Sequence, residues 1–194
     1  TYAARVSLKG ADPLLPLGMT ATVSYGILLY SFTVFIEPMH RELGWSTAAL
    51  TGAFSLAQLV SGMAAIPIGR HVDEHGARGV MIGGAMLVVL MLVWWSQVQS
   101  LWSFYVLWFA LGVAMSAVLY EPAFVVVAVW FRAHRARALT VLTFLGGFAS
   151  IVFVPLSAYW VVHFGWRTAL LLLAAVMLAV PVLLHAIVLR HRPA

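Results

Sequence analysis

The sequence predicts an all-α integral membrane protein, six transmembrane helices in one compact bundle, and three observations carry that expectation. Of 194 residues, 63% are hydrophobic and only 9% are charged, where soluble domains hold about 25% charged residues. A soluble fold of this size has no interior able to hide so much apolar surface, whereas a bilayer core is itself apolar. The apolar residues fall into runs that reach the length of about 20 needed to cross a bilayer. The basic residues cluster between those runs, mostly on one side.

The runs cover about residues 14–36, 47–68, 80–98, 101–130, 138–162 and 168–189, after a polar tail over 1–13. The fourth exceeds the minimum, which implies tilt. Strands are excluded, because the runs are long and lack the alternation of a membrane barrel. Nine basic residues flank one side: Arg5, Lys9, Arg70, Arg78, Arg132, Arg135, Arg137, Arg190 and Arg192. Only Arg41 and Arg167 flank the other. Lys and Arg favour the cytoplasmic side, so both ends of the chain are expected there, in a plasma or inner membrane. Trp45, Trp102 and Trp166 would then mark the outer interface and Trp130 the inner one. Small residues, Gly112 with Ser116 and Gly146 with Ser150, are the expected helix seams.

Several functions are excluded by composition. Without Cys there is no disulfide framework, thiolate metal site or cysteine nucleophile. The net charge of +5 forms no continuous basic face, so nucleic acid is not an expected partner. The head of the chain has no signal-peptide pattern and no initiator Met, so a longer polypeptide, trimmed at least at its N-terminus, is expected.

Weak internal symmetry is visible. Pro67 precedes Gly76, Ala77 and Arg78, and Pro155 precedes Gly165, Trp166 and Arg167 with one more residue of spacing. Glu37 with Pro38 and Glu121 with Pro122 add a match at a slightly different offset. An inverted three-plus-three repeat would place such pairs on opposite membrane faces. Chance is the competing explanation, since Gly, Pro and Arg favour loops.

The segment between the second and third runs reads Gly69, Arg70, His71, Val72, Asp73, Glu74, His75, Gly76, Ala77, Arg78. Gly69 would admit a close helix. Asp73 can cap a helix or pair with a cation. Gly76 permits a tight turn, and Arg78 can bond a neighbouring helix end. A loop of this kind can latch two parts of the molecule together. The skeleton G-x-x-x-D-x-x-G-x-R resembles the signature loop of the major facilitator superfamily, and it stands where that family has it. Glu74 and Ala77 depart from that pattern, where the family often carries basic residues. Ser24, Tyr25, Gly26 and the run Ser31 to Phe35 look like the first span of monocarboxylate-porter and oxalate–formate-antiporter-like members. Trp130, Phe131, Arg132, Arg135, Arg137, Ala138, Leu139, Gly146 and Gly147 are similar to their junction of spans four and five. The resemblance implies a transporter of twelve spans, in two six-span halves around a central cavity. This chain matches the first half, so the second six-helix half, or a second copy, is an implied partner beside the lipid bilayer.

The candidate site residues follow from cost. Glu121 is the only Asp or Glu inside a predicted span. A charge at membrane depth costs about 2.5–3.5 kcal/mol on insertion scales, so it normally faces a wet cavity and serves function. Burial raises a carboxyl pKa, which suits a proton carrier; the plainer alternative is a pair with an arginine such as Arg132. Tyr120 beside it, with Tyr25 and Tyr30 in span one, are candidate substrate contacts. Thr22, Tyr25 and Thr33 can share one helical face, though interhelical hydrogen bonding would also explain so polar a span. Some monocarboxylate porters, by resemblance, carry a lysine at the position of Tyr30. No Lys or Arg lies deep in any predicted span, so a cation for an anionic substrate would have to come from the second half. His71 and His75 are four apart, but a loop framed by Gly makes a poor metal site. Neither metal nor cofactor is expected.

The leading expectation is a secondary transporter of a small organic anion, such as a monocarboxylate, with proton coupling or exchange. A half-size subunit that assembles as an oligomer is an alternative. An intramembrane enzyme is the weaker one, lacking G-x-S-x-G and a mid-span His base.

Overall fold

The computed structural model describes residues 14–119, 139–140, 143–144 and 146–188, and every regular element among them is helical. In chain order these are α1 (Leu14–Tyr25), a π-helical turn (Gly26–Tyr30), α2 (Phe32–Leu43), α3 (Thr47–His75), α4 (Ala77–Ser96), α5 (Leu101–Val118), α6 (Ala149–Met177), a second π turn (Leu178–Val182) and α7 (Leu183–Val188). Five helical stretches among the described residues are long and apolar enough to cross a bilayer: Gly18–Leu43, Thr47–His75, Ala77–Ser96, Leu101–Val118 and Ala149–Ala186.

Helix starts and stops have local causes. The Ser46 hydroxyl accepts from the Ala49 amide, and the Ser100 hydroxyl accepts from the Ser103 amide, so α3 and α5 begin on capped amides. Gly44, at φ 72°, ends α2 and returns its amide to the His40 carbonyl. The first helical stretch therefore runs past the expected end at Ile36 and carries Glu37 and Glu42 on its last turns.

Two further boundaries differ from expectation. The segment expected as a loop from Gly69 is helix as far as His75. Pro67 and Gly69 are both accommodated within α3, and the break waits for Gly76, at φ 89° and ψ 156°, a conformation L side chains rarely adopt. Leu119 leaves α5 in an extended conformation, and the rest of the fourth run, expected to reach Trp130, lies outside the described residues. The last two runs form one stretch of 38 residues, about 57 Å at helical rise and nearly twice the roughly 30 Å hydrocarbon thickness. Gly165 interrupts it, at φ 79° and ψ 158°.

The bundle packs α5 against α3 and α4, and α4 against α6. Gly112 makes the first seam possible, because a Cβ there would lie 2.6 Å from the Ala57 carbonyl oxygen and 2.9 Å from the Val60 Cβ. Aromatic rings fill the centre: Trp108 meets Phe32 and Trp95 edge-on at 5.0 Å, and Phe32 stacks on Phe54 at 4.7 Å. Such pairs add about 0.5–1.5 kcal/mol beyond burial. Trp166, expected as an interface anchor, is buried, while Trp102 stays exposed.

Replacing Gly112 with Ala should force α3 and α5 apart and cost about 1–3 kcal/mol. Gly62→Ala, where nothing lies within 4 Å of the added Cβ, should leave stability unchanged or slightly raised. Thermal unfolding of the two purified variants in detergent checks the contrast.

Candidate functional site

The first helical stretch presents polar groups along one side, and its π turn decides which ones. Ser31 closes the turn twice on the same acceptor: its amide and its hydroxyl each donate to the Gly26 carbonyl at 2.8 Å. The Ser157 hydroxyl on α6 donates in turn to the Ser31 hydroxyl at 2.8 Å. Both serines are fully buried. Gly26 has no side chain because the Phe153 ring occupies the place of its Cβ. In an uninterrupted helix Tyr30 would stand about 80° around the axis from Thr22. A π turn carries one extra residue, worth about 100°, and brings Tyr30 back to that side. Tyr30 is 37% exposed, near the midpoint of the Gly18–Leu43 stretch. Its hydroxyl has no hydrogen-bond partner among the described residues. Thr33, also exposed, donates to the Tyr30 carbonyl at 2.9 Å. Thr22 and Tyr25 are half-buried on the α1 portion.

At one end of α4 lies the second candidate, Gly69 to Arg78. A Cβ on Gly69 would meet nothing within 4 Å, so no close helix explains that glycine among the described residues. Asp73 is exposed on the last turn of α3, with no ion pair among the described residues. Gly76 makes the break, and Arg78 Nη2 donates to the Ala186 carbonyl in α7 at 3.4 Å.

The other end of α4 mirrors this arrangement. After the break at Gly165, Arg167 donates from Nη1 to the Ser96 carbonyl at 2.7 Å and from both Nη1 and Nη2 to the Val98 carbonyl at 3.3 Å. These carbonyls end α4 and lack helical partners. The same guanidinium pairs with Glu42, Nη2 to Oε1 at 2.9 Å. It also lies over the Trp166 ring, 4.2 Å from the centroid. Trp166 Nε1 donates to the other Glu42 oxygen at 2.6 Å. One arginine therefore ties the ends of α2 and α4 to the part of α6 that follows Gly165. Gly76 with Arg78 and Gly165 with Arg167 are the same device: a glycine break, then an arginine that closes on the far end of the other helix. The two closures stand about 27 Å apart by helical rise along α4.

Glu121 and Tyr120 lie outside the described residues, as does Arg132. Tyr25 and Tyr30, five residues apart, share a side through the π turn. His71 and His75 stack at 4.4 Å on the helical end of α3, and no group of three or more His, Cys, Asp or Glu gathers among the described residues. His185 is buried against the Met81 backbone without closing a hydrogen bond. Sequence reasoning missed Ser157, Glu42 and the role of Ser31. The opposite charges of Glu42 and Arg167, of which only Arg167 was expected near the outer face, were the one signal available.

Residues 18–194 match the model of the Major Facilitator Superfamily. The chain is 29% identical to the riboflavin transporter RibJ of Trypanosoma brucei brucei over 88% of its own length and 31% of that protein's. It is 30% identical to monocarboxylate transporter 11 of Mus musculus over 80% of this chain and 33% of the relative. It is 31% identical to the oxalate:formate antiporter of Oxalobacter formigenes over 66% of this chain and 30% of the relative. The chain thus spans about a third of the length of these curated relatives.

Arg167→Ala should destabilise the bundle by about 1–3 kcal/mol, because it strands buried carbonyls as well as Glu42. Glu42→Gln should cost less, about 1 kcal/mol or under, since the pair is partly exposed and the amide oxygen still accepts from Trp166. Chemical unfolding of the single and double variants in detergent measures both costs and their coupling.

Proposed function

Because the chain belongs to the major facilitator superfamily, we propose that it forms the first six spans of a secondary transporter that moves a small organic anion by alternating access. The observation that carries this reading is Tyr30: an exposed phenol with an unused hydroxyl at the middle of a membrane-length helix. Transporters bind solute near the bilayer midplane, and lipid offers such a hydroxyl nothing. Tyr25 and Tyr30 contact the substrate. Glu121, with Tyr120 beside it, binds a proton or a polar group of the solute, and the transport is coupled to protons or runs as exchange. The names of two relatives, a monocarboxylate transporter and an oxalate:formate antiporter, support an acid as cargo; a riboflavin transporter keeps a larger solute in view.

Six spans follow if the 38-residue stretch counts as two, divided at Gly165. The paired breaks and arginines at Gly76–Arg78 and Gly165–Arg167 support an inverted three-plus-three repeat, with both chain ends on the cytoplasmic side. Gly69, Asp73, Gly76 and Arg78 act as a conformational latch on that side. A partner half, or a second copy, covers exposed apolar side chains such as Leu59, Met63 and Ile66 on α3.

The full polypeptide in proteoliposomes should take up labelled monocarboxylate or oxalate saturably, and faster under an imposed proton gradient. Tyr30→Phe should weaken apparent affinity by about 3- to 10-fold, the worth of one hydrogen bond. Glu121→Gln should abolish the pH dependence. Saturable uptake of riboflavin with none of either acid would replace the organic-acid assignment.

A further inference from the structure

The Ser31–Ser157 pair has no part in the reading above, and both of its hydroxyls are buried. Two hydroxyls there join α6 to the π turn through one carbonyl, that of Gly26. An inserted π residue is less favourable than continuous α-helix, so something must hold it. Here the hold is threefold. Gly26 admits the Phe153 ring, Ser31 donates twice to the Gly26 carbonyl, and Ser157 completes the hydrogen bonding of Ser31 from another span. Without the Ser157 donor the buried Ser31 hydroxyl loses the hydrogen bond that fixes its orientation towards Gly26, and the turn would be freer to rewind.

We propose that Ser31 and Ser157 are positioning residues whose hydrogen bond fixes the π turn and thereby sets the orientation of Tyr30 towards the substrate. The proposal rests on the transport reading for its functional consequence, not for its geometry. Rewinding the turn by one residue rotates Tyr30 by about 100° away from Thr22. The hydroxyl then points into packed helix rather than into the solute path. Ser157 never touches the solute; it acts from the neighbouring span. Specificity in this carrier is therefore set partly by a pair of groups that the solute does not meet.

The sequence given has no Cys, which makes a direct probe possible. Tyr30→Cys, introduced as the only thiol of the full polypeptide, should react readily with a membrane-impermeant maleimide. Adding Ser157→Ala or Ser31→Ala should slow that reaction by about 10-fold as the position turns inward, while Ser31→Thr, which keeps the hydroxyl, should retain the parent rate. In a Tyr30 background, Ser157→Ala should raise KM for the transported acid about 3- to 10-fold with kcat within about 2-fold, whereas Ser157→Thr, which keeps the hydroxyl, should retain the parent KM. Circular dichroism and thermal unfolding establish that each variant folds; Ser31→Ala stands in if Ser157→Ala does not. Unchanged labelling in both folded Ala variants overturns the positioning role even if transport is seen. Altered labelling with no uptake of any acid upholds the positioning role and removes the organic-acid reading instead.

Discussion

Lipid offers no hydrogen bonds to a peptide group, so a membrane bundle can leave the α-helix only where another part of the protein supplies them. Three departures among the described residues obey that constraint. At the Gly26–Tyr30 turn the supply comes from Ser31, with Ser157 behind it. At the end of α4 it comes from the Arg167 guanidinium, which reaches two carbonyls at once. Arg78 does the same at the end of α7. Several polar side chains of this apolar protein thus stand where backbone needs them. The places that need them are also the ones that carry the candidate site.

The same constraint explains the division of labour among glycines. Gly76 and Gly165 stand where φ is positive and a side chain would strain the chain. Gly112 serves contact, letting α5 lie directly on the Ala57 backbone. Without a hydrophobic drive between helices in lipid, such close approach is what binds them, through dispersion between well-fitted surfaces. The ring cluster around Trp108 supplies the bulk of that fit in the centre.

Much of the helical architecture was legible because the apolar period and the bilayer length reinforce one another. Residues 47–68 and 80–98 lie almost wholly within α3 and α4, and 101 opens α5. Ends were less legible. Charged residues from Arg70 to Glu74 mark a water-facing segment, yet nothing in them forbids helix, so α3 runs on until Gly76 stops it. The polar side of span one was visible in its composition, but a straight-helix projection left Tyr30 off the line of Thr22 and Thr33. A π turn depends on a hydroxyl 126 residues away, and no local pattern encodes that. Arg78 reaching a helix end was readable from its place and chemistry; the matching reach of Arg167 needed the fold.

The two arginine closures sit at opposite ends of the same rod, α4, and both fasten it to the chain that follows Gly165. A pair tethered at top and bottom can lean together without straining either tether. Sliding one rod lengthwise past the other would break both at once. The two rods are fastened as a single strut, and freedom to move is left to the remaining helices.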